Sequence, residues 1–562
     1  MQRISLLLAP LCALLLPAAA PAQTPPDAGS LLRQTAPRGE PPAARTESPL
    51  RDASAAPARP AAGAARVRVQ RFAIEANSRF TDAQLQPRLA PWVGRELSLT
   101  ELRQAAASVC AAYAEAGWLA HCDLPPQDVT EGVIRIRVLE ARLGGVRVQG
   151  NPQRIAPAHA EGLLLAAQPQ GQPLSLPAVE RAVLLVSDLP GVSAQAALAA
   201  GGTEGETLVL LKLDDRAVFG GDLVLDNGGS RSTGRARASA TLRLEGPLAL
   251  GDAWTAQALH SRGNDYLRLG ASLPVGLSGL RMGVSASGLR YRLLGDELAA
   301  LGGRGTAGTL GLDAGYPLLR SRGRNLELRM SARRDRFDNQ ANGSTTSRYR
   351  SHSISLTLNA NQLDDWGGGG ASAASLQLSR GRIDLDGSPN QAADAAGPAV
   401  QGRFDKASLA LNRQQALTRW LSATGSFAAQ WAGKNLDSSE RFYLGGPGGV
   451  RAYPASEGGG SRGQLANLEL RAQLPANFVL GGFYDWGQVQ ALVRGAVTGS
   501  GPNRYQLKGA GLSLAWSGPR ALNIRATWAR RIGANPNPTS TGTDQDGSLT
   551  RNRLWLQAGL PL

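Results

Sequence analysis

The sequence RARASATLRL at residues 235–244 alternates strictly between two kinds of side chain. Arginine, serine and threonine occupy the odd positions, and alanine or leucine occupies every even position. Because successive side chains of a β-strand point to opposite faces, the polar and apolar sets lie on separate faces. A packed sandwich core could not accept a face lined with arginines, whereas a water-filled lumen can. The segment therefore predicts one strand of a transmembrane β-barrel.

The same alternation recurs as SISLTLNA at residues 353–360 and as NLELRAQL at residues 467–474. Helical periodicity nearly disappears beyond Arg216, and 346 residues follow it. At about 20 to 22 residues per strand and connection, this length predicts about sixteen antiparallel strands, within a range of about fourteen to eighteen. A secreted β-helix or adhesin is disfavoured by the basic strand face and by glycine-rich connections of unequal length.

Residues 1–22 carry the features of a cleavable secretory signal. Arg3 supplies a positive charge, residues 4–16 are apolar, and residues 20–22 form an Ala-Pro-Ala cleavage site. A membrane anchor is the alternative, but the apolar run is shorter than the roughly 20 residues that span a bilayer. We expect an exported protein. Since no later stretch predicts a membrane helix, it is periplasmic, secreted or a β-barrel.

The composition is basic and rich in glycine. The net charge of +16 is carried almost wholly by arginine, and the 68 glycines and 34 prolines indicate long polar loops. A basic exported protein can meet anionic lipid, nucleic acid or an acidic client, and charge alone does not choose among them.

The mature chain would keep two cysteines, Cys110 and Cys122, because Cys12 lies in the predicted signal. In an oxidising compartment such a pair most simply forms a structural disulfide, and free thiols are the alternative. A metal site would need further ligands at suitable spacing, and only His121 is near.

Residues 23–65 form a linker rich in alanine, proline and arginine. Within it, Asp27–Gln34 has a polar cap before paired leucines, which is typical of a helix start. The alternative for this segment is a disordered tail.

Two tandem α+β modules are predicted between the linker and the barrel. In the first, a strand at residues 67–72 precedes a helix at Thr81, a capping box at Ser98 and Glu101, and a strand at residues 133–138. The order is β-α-α-β-β. A similar strand-first pattern begins at residues 146–149, which favours a repeat over a single larger domain.

Enzyme-like motifs occur in the wrong structural context. Residues 459–463 match a nucleophile elbow but precede a strand, and residues 303–308 match a dinucleotide motif without its flanking strand and helix. The four histidines lack ligand spacing. We therefore expect no enzymatic activity, no cofactor and no metal.

A charged pair in the barrel region is more informative. Arg451 lies in a long glycine-rich connection at residues 445–463. Asp485 lies on the next strand, on the same face as Phe483 and Gly487. A connection of this length could fold into the lumen, where an arginine would need a carboxylate partner. The alternative, a solvated external loop and an unrelated aspartate, fits the composition equally well.

Together these segments resemble the outer-membrane transporters of two-partner secretion, the TpsB family of the ShlB, FhaC and HecB type. Residues 27–34 resemble the family's plug helix, residues 124–134 the end of its first polypeptide-transport-associated (POTRA) domain, and residues 226–234 its first barrel strand. The resemblance covers essentially the whole mature chain. It implies a signal peptide at 1–22, a plug helix and linker at 23–65, POTRA domains at 66–140 and 141–216, and a sixteen-stranded barrel at 217–562.

Two family motifs match the charged pair and give it an expected role, in which Arg451 and Asp485 gate the lumen. The inward-folded loop motif, usually V-R-G-Y/F, corresponds to Gly449, Val450, Arg451, Ala452 and Tyr453, and the strand motif to Phe483, Asp485 and Gly487. Ala452 replaces the usual glycine, so the backbone there is less free. The chain ends in Leu562 rather than in the aromatic residue of the barrel-insertion signal, so insertion would rest on Trp555 and the preceding strand.

The resemblance implies an outer-membrane protein whose POTRA domains lie in the periplasm and capture an unfolded β-helical exoprotein. The client, an adhesin, haemolysin or contact-dependent toxin, would cross the barrel without nucleotide hydrolysis. β-Augmentation along a POTRA edge would tolerate varied client sequences. Contact with lipid and lipopolysaccharide is expected, and contact with nucleic acid is not. A barrel-assembly factor is the alternative, although such factors carry more POTRA repeats. A diffusion porin would have no use for the modules and plug.

Overall fold

The computed structural model describes residues 26–35, 50–52, 66–295, 300–455, 457–495, 501–539 and 541–562. The predicted signal at residues 1–22 lies outside them. The described chain begins with helix α1 (Ala28–Thr35) and a short strand β1 (Leu50–Asp52). Within the described residues, the helices are all too short or too polar to cross a membrane.

The first α+β module packs its two longer helices against a small mixed sheet. Its buried apolar residues, including Phe72, Leu102 and Ile136, come from both layers. The predicted capping box is present, since the Ser98 hydroxyl accepts from the Glu101 amide at 3.3 Å and the Glu101 carboxylate accepts from the Ser98 amide at 2.7 Å. The elements are β2 (Arg66–Arg68), β3 (Arg71–Glu75), α2 (Asp82–Leu89), β4 (Glu96–Ser98), α3 (Leu99–Glu115), β5 (Ala120–Asp123) and β6 (Val133–Glu140).

A disulfide joins Cys110 on α3 to Cys122 on β5. It ties the second helix of the module to the strand that follows it, and β5 is the edge of the β3-β6-β5 sheet. This edge is therefore held covalently to the helical layer.

The second module has the order β-α-α-β-β. Its sheet packs against both helices through a core that includes Leu164, Val183 and Leu211. The elements are β7 (Arg142–Gln149), α4 (Pro157–Ala167), α5 (Leu176–Ser187), β8 (Val192–Ala200) and β9 (Glu206–Asp215).

The predicted linker contains one strand that its composition did not indicate. Strand β1 pairs in parallel with the edge strand β8, and Leu50 lies opposite Ala196. The second module's sheet therefore has the order β1-β8-β9-β7, and part of its β8 edge is occupied by the chain itself.

Sixteen antiparallel strands then form a closed barrel, as the alternation and length predicted, and β10 pairs with β27 to close it. Closure leaves no unpaired strand edge in the membrane. The strands are β10 (Phe219–Asp226), β11 (Arg237–Glu245), β12 (Ala253–Ser261), β13 (Asn264–Val275), β14 (Leu280–Arg292), β15 (Arg304–Arg320), β16 (Arg324–Ala341), β17 (Ser344–Asp364), β18 (Gly370–Asp384), β19 (Gly402–Ala416), β20 (Leu421–Ala432), β23 (Arg462–Leu474), β24 (Phe478–Gln490), β25 (Arg504–Ser517), β26 (Asn523–Arg531) and β27 (Asn552–Pro561).

Two further short strands, β21 (Phe442–Tyr443) and β22 (Gly459–Gly460), pair with each other and flank the connection that carries Arg451. A short helix α6 (Gln391–Ala396) lies between β18 and β19. The apolar residues of the alternating segments are exposed on the outer wall, for example Leu242, Ile354 and Leu468. Such a wall faces lipid in a membrane.

The second module contacts the barrel at the turn between β15 and β16. The Arg320 guanidinium pairs with the Asp188 carboxylate, and the Nε of Arg322 lies 2.8 Å from the carboxylate of Glu180. These contacts identify the end of the barrel that lies next to the modules, and the strand ends far from this turn lie at the opposite side of the membrane.

The Glu140 carboxylate anchors the segment before α2. Burial alone would raise its pKa, but hydrogen bonds from Ser78, from the amide of Arg79 and from the Tyr113 hydroxyl outweigh burial and hold the pKa below its usual value. A carboxyl whose pKa is lowered by folding stabilises the native state above its unfolded pKa, and this contribution is lost as pH falls through the folded pKa.

We expect residues 77–82 to loosen as the pH falls through the lowered pKa of Glu140, because the protonated carboxyl no longer accepts these bonds. Hydrogen exchange of this segment in the full-length protein, corrected for the intrinsic effect of pH, measures the change. Glu140→Gln should exchange faster than the wild type at neutral pH and show little further change in acid. Glu75→Gln, an exposed carboxylate on the same sheet, is the control. Equal protection in Glu140→Gln and wild type at pH 7 would contradict the assignment.

Candidate functional site

The connection between β21 and β22 folds into the barrel rather than outward. Val450, Ala452 and Tyr453 are fully buried, and they pack with inward-facing residues such as Phe483 and Leu507. Of the two interpretations that the sequence left open, the structure has the inward-folded loop.

Arg451 lies at the tip of this inner loop and is only 8% exposed. Its Nε and one terminal nitrogen donate to the two carboxylate oxygens of Asp485, at 2.9 and 2.8 Å, and its backbone amide donates to Asp485 at 3.0 Å. The planar fork of arginine suits this bidentate contact. The structure thus brings the predicted pair together, and Asp485 is completely buried.

A second carboxylate completes the arginine site. The remaining terminal nitrogen of Arg451 donates to Glu469 at 2.8 Å, and Arg471 donates to the other oxygen of Glu469 at 2.9 Å. The Phe483 ring lies under the guanidinium, 3.3 Å from Cζ to the ring centroid. Arg451 therefore has two anionic partners and an aromatic face, which together offset the loss of water around it.

Asn467 ties the loop backbone to the same cluster. Its side-chain amide donates to the Gly449 carbonyl at 3.0 Å and to the Asp485 carboxylate at 2.8 Å. The sequence did not predict Asn467, Glu469 and Arg471 as site residues. The signal was available, because all three belong to the polar face of NLELRAQL, and Asn467 lies directly opposite Asp485 in the sheet.

Trp555 contributes to the loop and does not face lipid. Its indole nitrogen donates to the Arg451 carbonyl at 2.7 Å. The part of Trp555 in barrel insertion stays a prediction.

Small residues on the strands make room for the loop. A Cβ on Gly487 would lie 2.7 Å from a methyl of Leu444 and 3.2 Å from a methyl of Val450, so the glycine of the strand motif allows close approach. Gly509 gives similar space to Ala452. Ala452 does not have a positive φ, so the alanine that replaces the motif's glycine causes no backbone strain.

The loop has a second attachment beyond its tip. The buried Glu457 carboxylate accepts from the Asn535 side chain at 2.9 Å and from the Gln545 amide at 2.8 Å. Arg531 stacks on the Tyr453 ring at 4.3 Å and pairs with Asp544. Asn535, Asp544 and Gln545, in the connection after β26, thus hold the base of the inner loop.

Helix α1 fills another part of the lumen. Ala28, Leu31 and Leu32 are buried against inward-facing residues such as Tyr291 and Phe337. Asp27 caps the helix, since its carboxylate accepts from the Ser30 amide at 2.8 Å.

Two polar contacts fix the start of α1 to the wall. Its first amide, on Ala28, donates to the Asn339 side chain at 2.9 Å, and the Ser438 hydroxyl donates to Asp27 at 2.7 Å. A Cβ on Gly29 would lie 2.6 Å from the Ser438 oxygen and 3.0 Å from the Ser439 amide. The helix therefore approaches this wall as closely as its backbone allows.

Two protein-family models match the chain. The family model for haemolysin secretion/activation proteins of the ShlB/FhaC/HecB type matches residues 205–515. The model for the ShlB-type POTRA domain matches residues 67–141. The chain belongs to this family. Its barrel accordingly spans the outer membrane, and its POTRA domains lie in the periplasm.

Relatives and solved structures are similar to most of the chain. The heme/hemopexin transporter protein HuxB of Haemophilus influenzae is 26% identical over 464 residues, which are 80% of each chain. The outer membrane transporter CdiB of Dickeya dadantii is 23% identical over 78% of this chain and 77% of its own. The structure of CdiB from Escherichia coli has a TM-score of 0.68 at 21% identity and covers 91% of this chain and 94% of that one. BamA of Haemophilus ducreyi, without its first three POTRA domains, gives 0.53 at 14% identity, over 89% and 100%.

We expect Arg451→Ala and Asp485→Ala to reduce secretion about tenfold or more without preventing barrel insertion. Removing one partner of a buried pair costs on the order of 3 to 5 kcal/mol, and the strands need neither side chain to pair. The double variant should be no worse than either single one, because the two act as one unit. Secreted client, normalised to heat-modifiable barrel in the outer membrane, measures the effect.

Arg329→Ala is the matched control for this prediction. Arg329 also faces the lumen and pairs with Asp313 at 3.2 Å, but its side chain is 46% exposed, so the pair is worth about 1 kcal/mol or less. Wild-type secretion by both Arg451→Ala and Asp485→Ala would show that the inner loop does not depend on the pair.

Removing residues 27–45, or unseating α1 with Gly29→Val, should raise single-channel conductance in planar bilayers. The valine side chain would meet Ser438 and Ser439, whose backbone cannot yield freely. Gln34→Ala is the control on the same helix, since the Gln34 amide nitrogen has no hydrogen-bond partner among the described residues. A conductance equal to that of the wild type in both test variants would mean that α1 does not obstruct the pore.

Proposed function

We propose that this protein secretes a partner exoprotein across the outer membrane through its own barrel. The observation that carries the proposal is the inner loop, held in the lumen through the buried contacts of Arg451 with Asp485 and Glu469. A passive porin has no need of such a device. A barrel that transports a polypeptide needs the inner loop and α1 to hold defined positions in the lumen, from which a client can displace them.

The periplasmic modules capture the client, and the β8 edge is the surface best suited to bind it. The edge already accepts an extended segment, since β1 pairs there through only three residues of a nine-residue strand. Main-chain pairing of this kind gives affinity without demanding one sequence. In the first module, the disulfide ties the β5 edge to α3.

The client in this proposal is an unfolded exoprotein that becomes β-helical outside the cell. It crosses without nucleotide hydrolysis, and its folding at the surface biases movement outward. The curated relatives named above are transporters. The likeness to BamA favours barrel assembly as the second candidate, although that likeness is weaker and concerns the fold alone.

Proteoliposomes containing the full chain separate the two functions. Purified unfolded client is added outside vesicles whose POTRA domains face outward, and protease protection is measured. Secretion predicts protected client that is soluble in the lumen after the vesicles are opened. Assembly predicts client that stays in the membrane fraction after alkaline extraction, and this result would overturn the proposal.

A photo-crosslinker at Gln195, an exposed position on β8, should capture client during transport. The same group at Arg147, exposed on the far edge strand β7, should capture markedly less. Equal capture at both positions, with transport intact, would place the docking edge elsewhere without affecting the secretion proposal.

A further inference from the structure

The outer wall of the barrel carries a row of basic side chains that the transport function does not use. Residues directly opposite one another on four successive strands, β16 to β19, form the row. All four are exposed on the outer wall. This basic row consists of Arg334, His352, Arg382 and Arg403.

The row lies at the upper limit of the apolar wall. On the same outward face, Met330 pairs with Leu356 and Leu356 with Leu378, and these positions lie nearer the periplasmic end. Each is about half exposed and faces lipid. An arginine on the lipid face is tolerated near the membrane interface and costs more toward the midplane. Strands of such barrels are tilted by about 35–45°, so the row is inclined to the membrane plane. Its arginines lie above the apolar residues of their own strands, toward the headgroups and away from the modules.

Basic side chains outnumber acidic ones on this part of the wall. Arg382 lies directly opposite Arg403, and Arg336 lies directly opposite Arg350, although Asp384 lies opposite Arg350 on its other side. Like charges facing each other across a strand pair repel. The nearby ion pairs, Arg348 with Asp338 and Arg380 with Asp405, involve other arginines. Within the part of the chain that the structure describes, Arg334, Arg382 and Arg403 have no hydrogen-bond or ion-pair partner.

A groove of about 630 Å³ joins the row to the apolar wall. Its lining combines apolar side chains from β14, β15 and β17 with the basic row and Arg380. The apolar lining consists of Val284, Leu310, Leu312 and Ile354. An occupant that fits this lining has both an acyl chain and an anionic group.

We propose that this groove binds a phosphate-bearing, acylated lipid of the outer leaflet, the chemistry of lipid A. Arginine forks bind phosphate oxygens through charge-assisted, often bidentate hydrogen bonds. Clusters of arginine at the edge of a membrane span are the usual recognition surface for anionic headgroups. Strands about 4.8 Å apart give the row a width of about 14 Å, which is room for two phosphate groups.

The test uses the full chain, purified in detergent and freed of lipid, with native mass spectrometry to count bound molecules. The probes are diphosphoryl lipid A, phosphatidylcholine and inorganic phosphate. The wild type should retain one diphosphoryl lipid A at concentrations where phosphatidylcholine and inorganic phosphate do not remain bound. In Arg334→Gln/Arg382→Gln the apparent Kd should rise about tenfold or more, because the charge-assisted bonds are lost.

Arg504→Gln/Arg530→Gln is the matched control. Both residues are exposed at the same end of the barrel, on β25 and β26 across the ring from β17. Its Kd should change less than about twofold. Equal weakening in both double variants would indicate diffuse attraction and overturn the site, as would equal retention of phosphatidylcholine by the wild type. Retention of inorganic phosphate at comparable concentration would assign the row to a free anion instead.

Arg334→Lys/Arg382→Lys keeps the charge but removes the planar fork, so its Kd should lie between those of the wild type and the glutamine variant. The lysine variant also replaces the glutamine variant as the test if the glutamine variant does not form a heat-modifiable barrel. An unchanged Kd in the lysine variant would then count against recognition that is specific to arginine. None of these outcomes depends on what the barrel transports.

Discussion

The contact between the Arg451 guanidinium and the carboxylates of Asp485 and Glu469 is the interaction on which the arrangement of the lumen depends. Burying a guanidinium away from water is costly unless its N–H groups have hydrogen-bond acceptors. Here Asp485 and Glu469 accept its hydrogen bonds, and the Phe483 ring lies against its face. The bidentate geometry fixes the direction of the arginine as well as its depth. The position of the arginine fixes the path of the loop backbone, and Asn467 and Trp555 donate hydrogen bonds to backbone carbonyls of the loop.

The fixed position of the loop also constrains the residues of the barrel wall. Because the loop tip has one position, the strands that face it need small residues where the backbone comes close, as Gly487 and Gly509 show. The strands themselves need none of these contacts, since closure by β10 and β27 satisfies the sheet. Scaffold and movable parts are thus held by different forces: main-chain pairing for the wall, and a few buried polar contacts for the loop and α1. Only the second kind can break without unfolding the barrel.

Alternation along segments such as RARASATLRL predicted the barrel, because a period of two is a backbone property that each strand repeats. The two motifs of the family resemblance also predicted the Arg451–Asp485 contact, which composition alone had left open. Glu469 was missed because a glutamate on a lumen face is unremarkable until the strand register places it beside the loop. Strand β1 was missed because three residues in a linker have no period, and their structure comes from pairing with β8. Long-range register is the information that local pattern lacks.

Register also corrects a generalisation drawn from β11, where the polar, arginine-bearing face is the lumen face. On β16 the inward set includes Asp335 and Phe337, while Arg334 and Arg336 point outward. Both arrangements obey one rule once depth is considered. An arginine within the apolar band must face water in the lumen, whereas an arginine above that band reaches the headgroup region from the outer wall. Arginine therefore has three environments in this protein: a solvated lumen, a buried loop contact and a lipid interface. Neither the residue type nor the local alternation distinguishes them. What does is the height of the residue on the barrel, together with the charge that stands opposite it in the neighbouring strand.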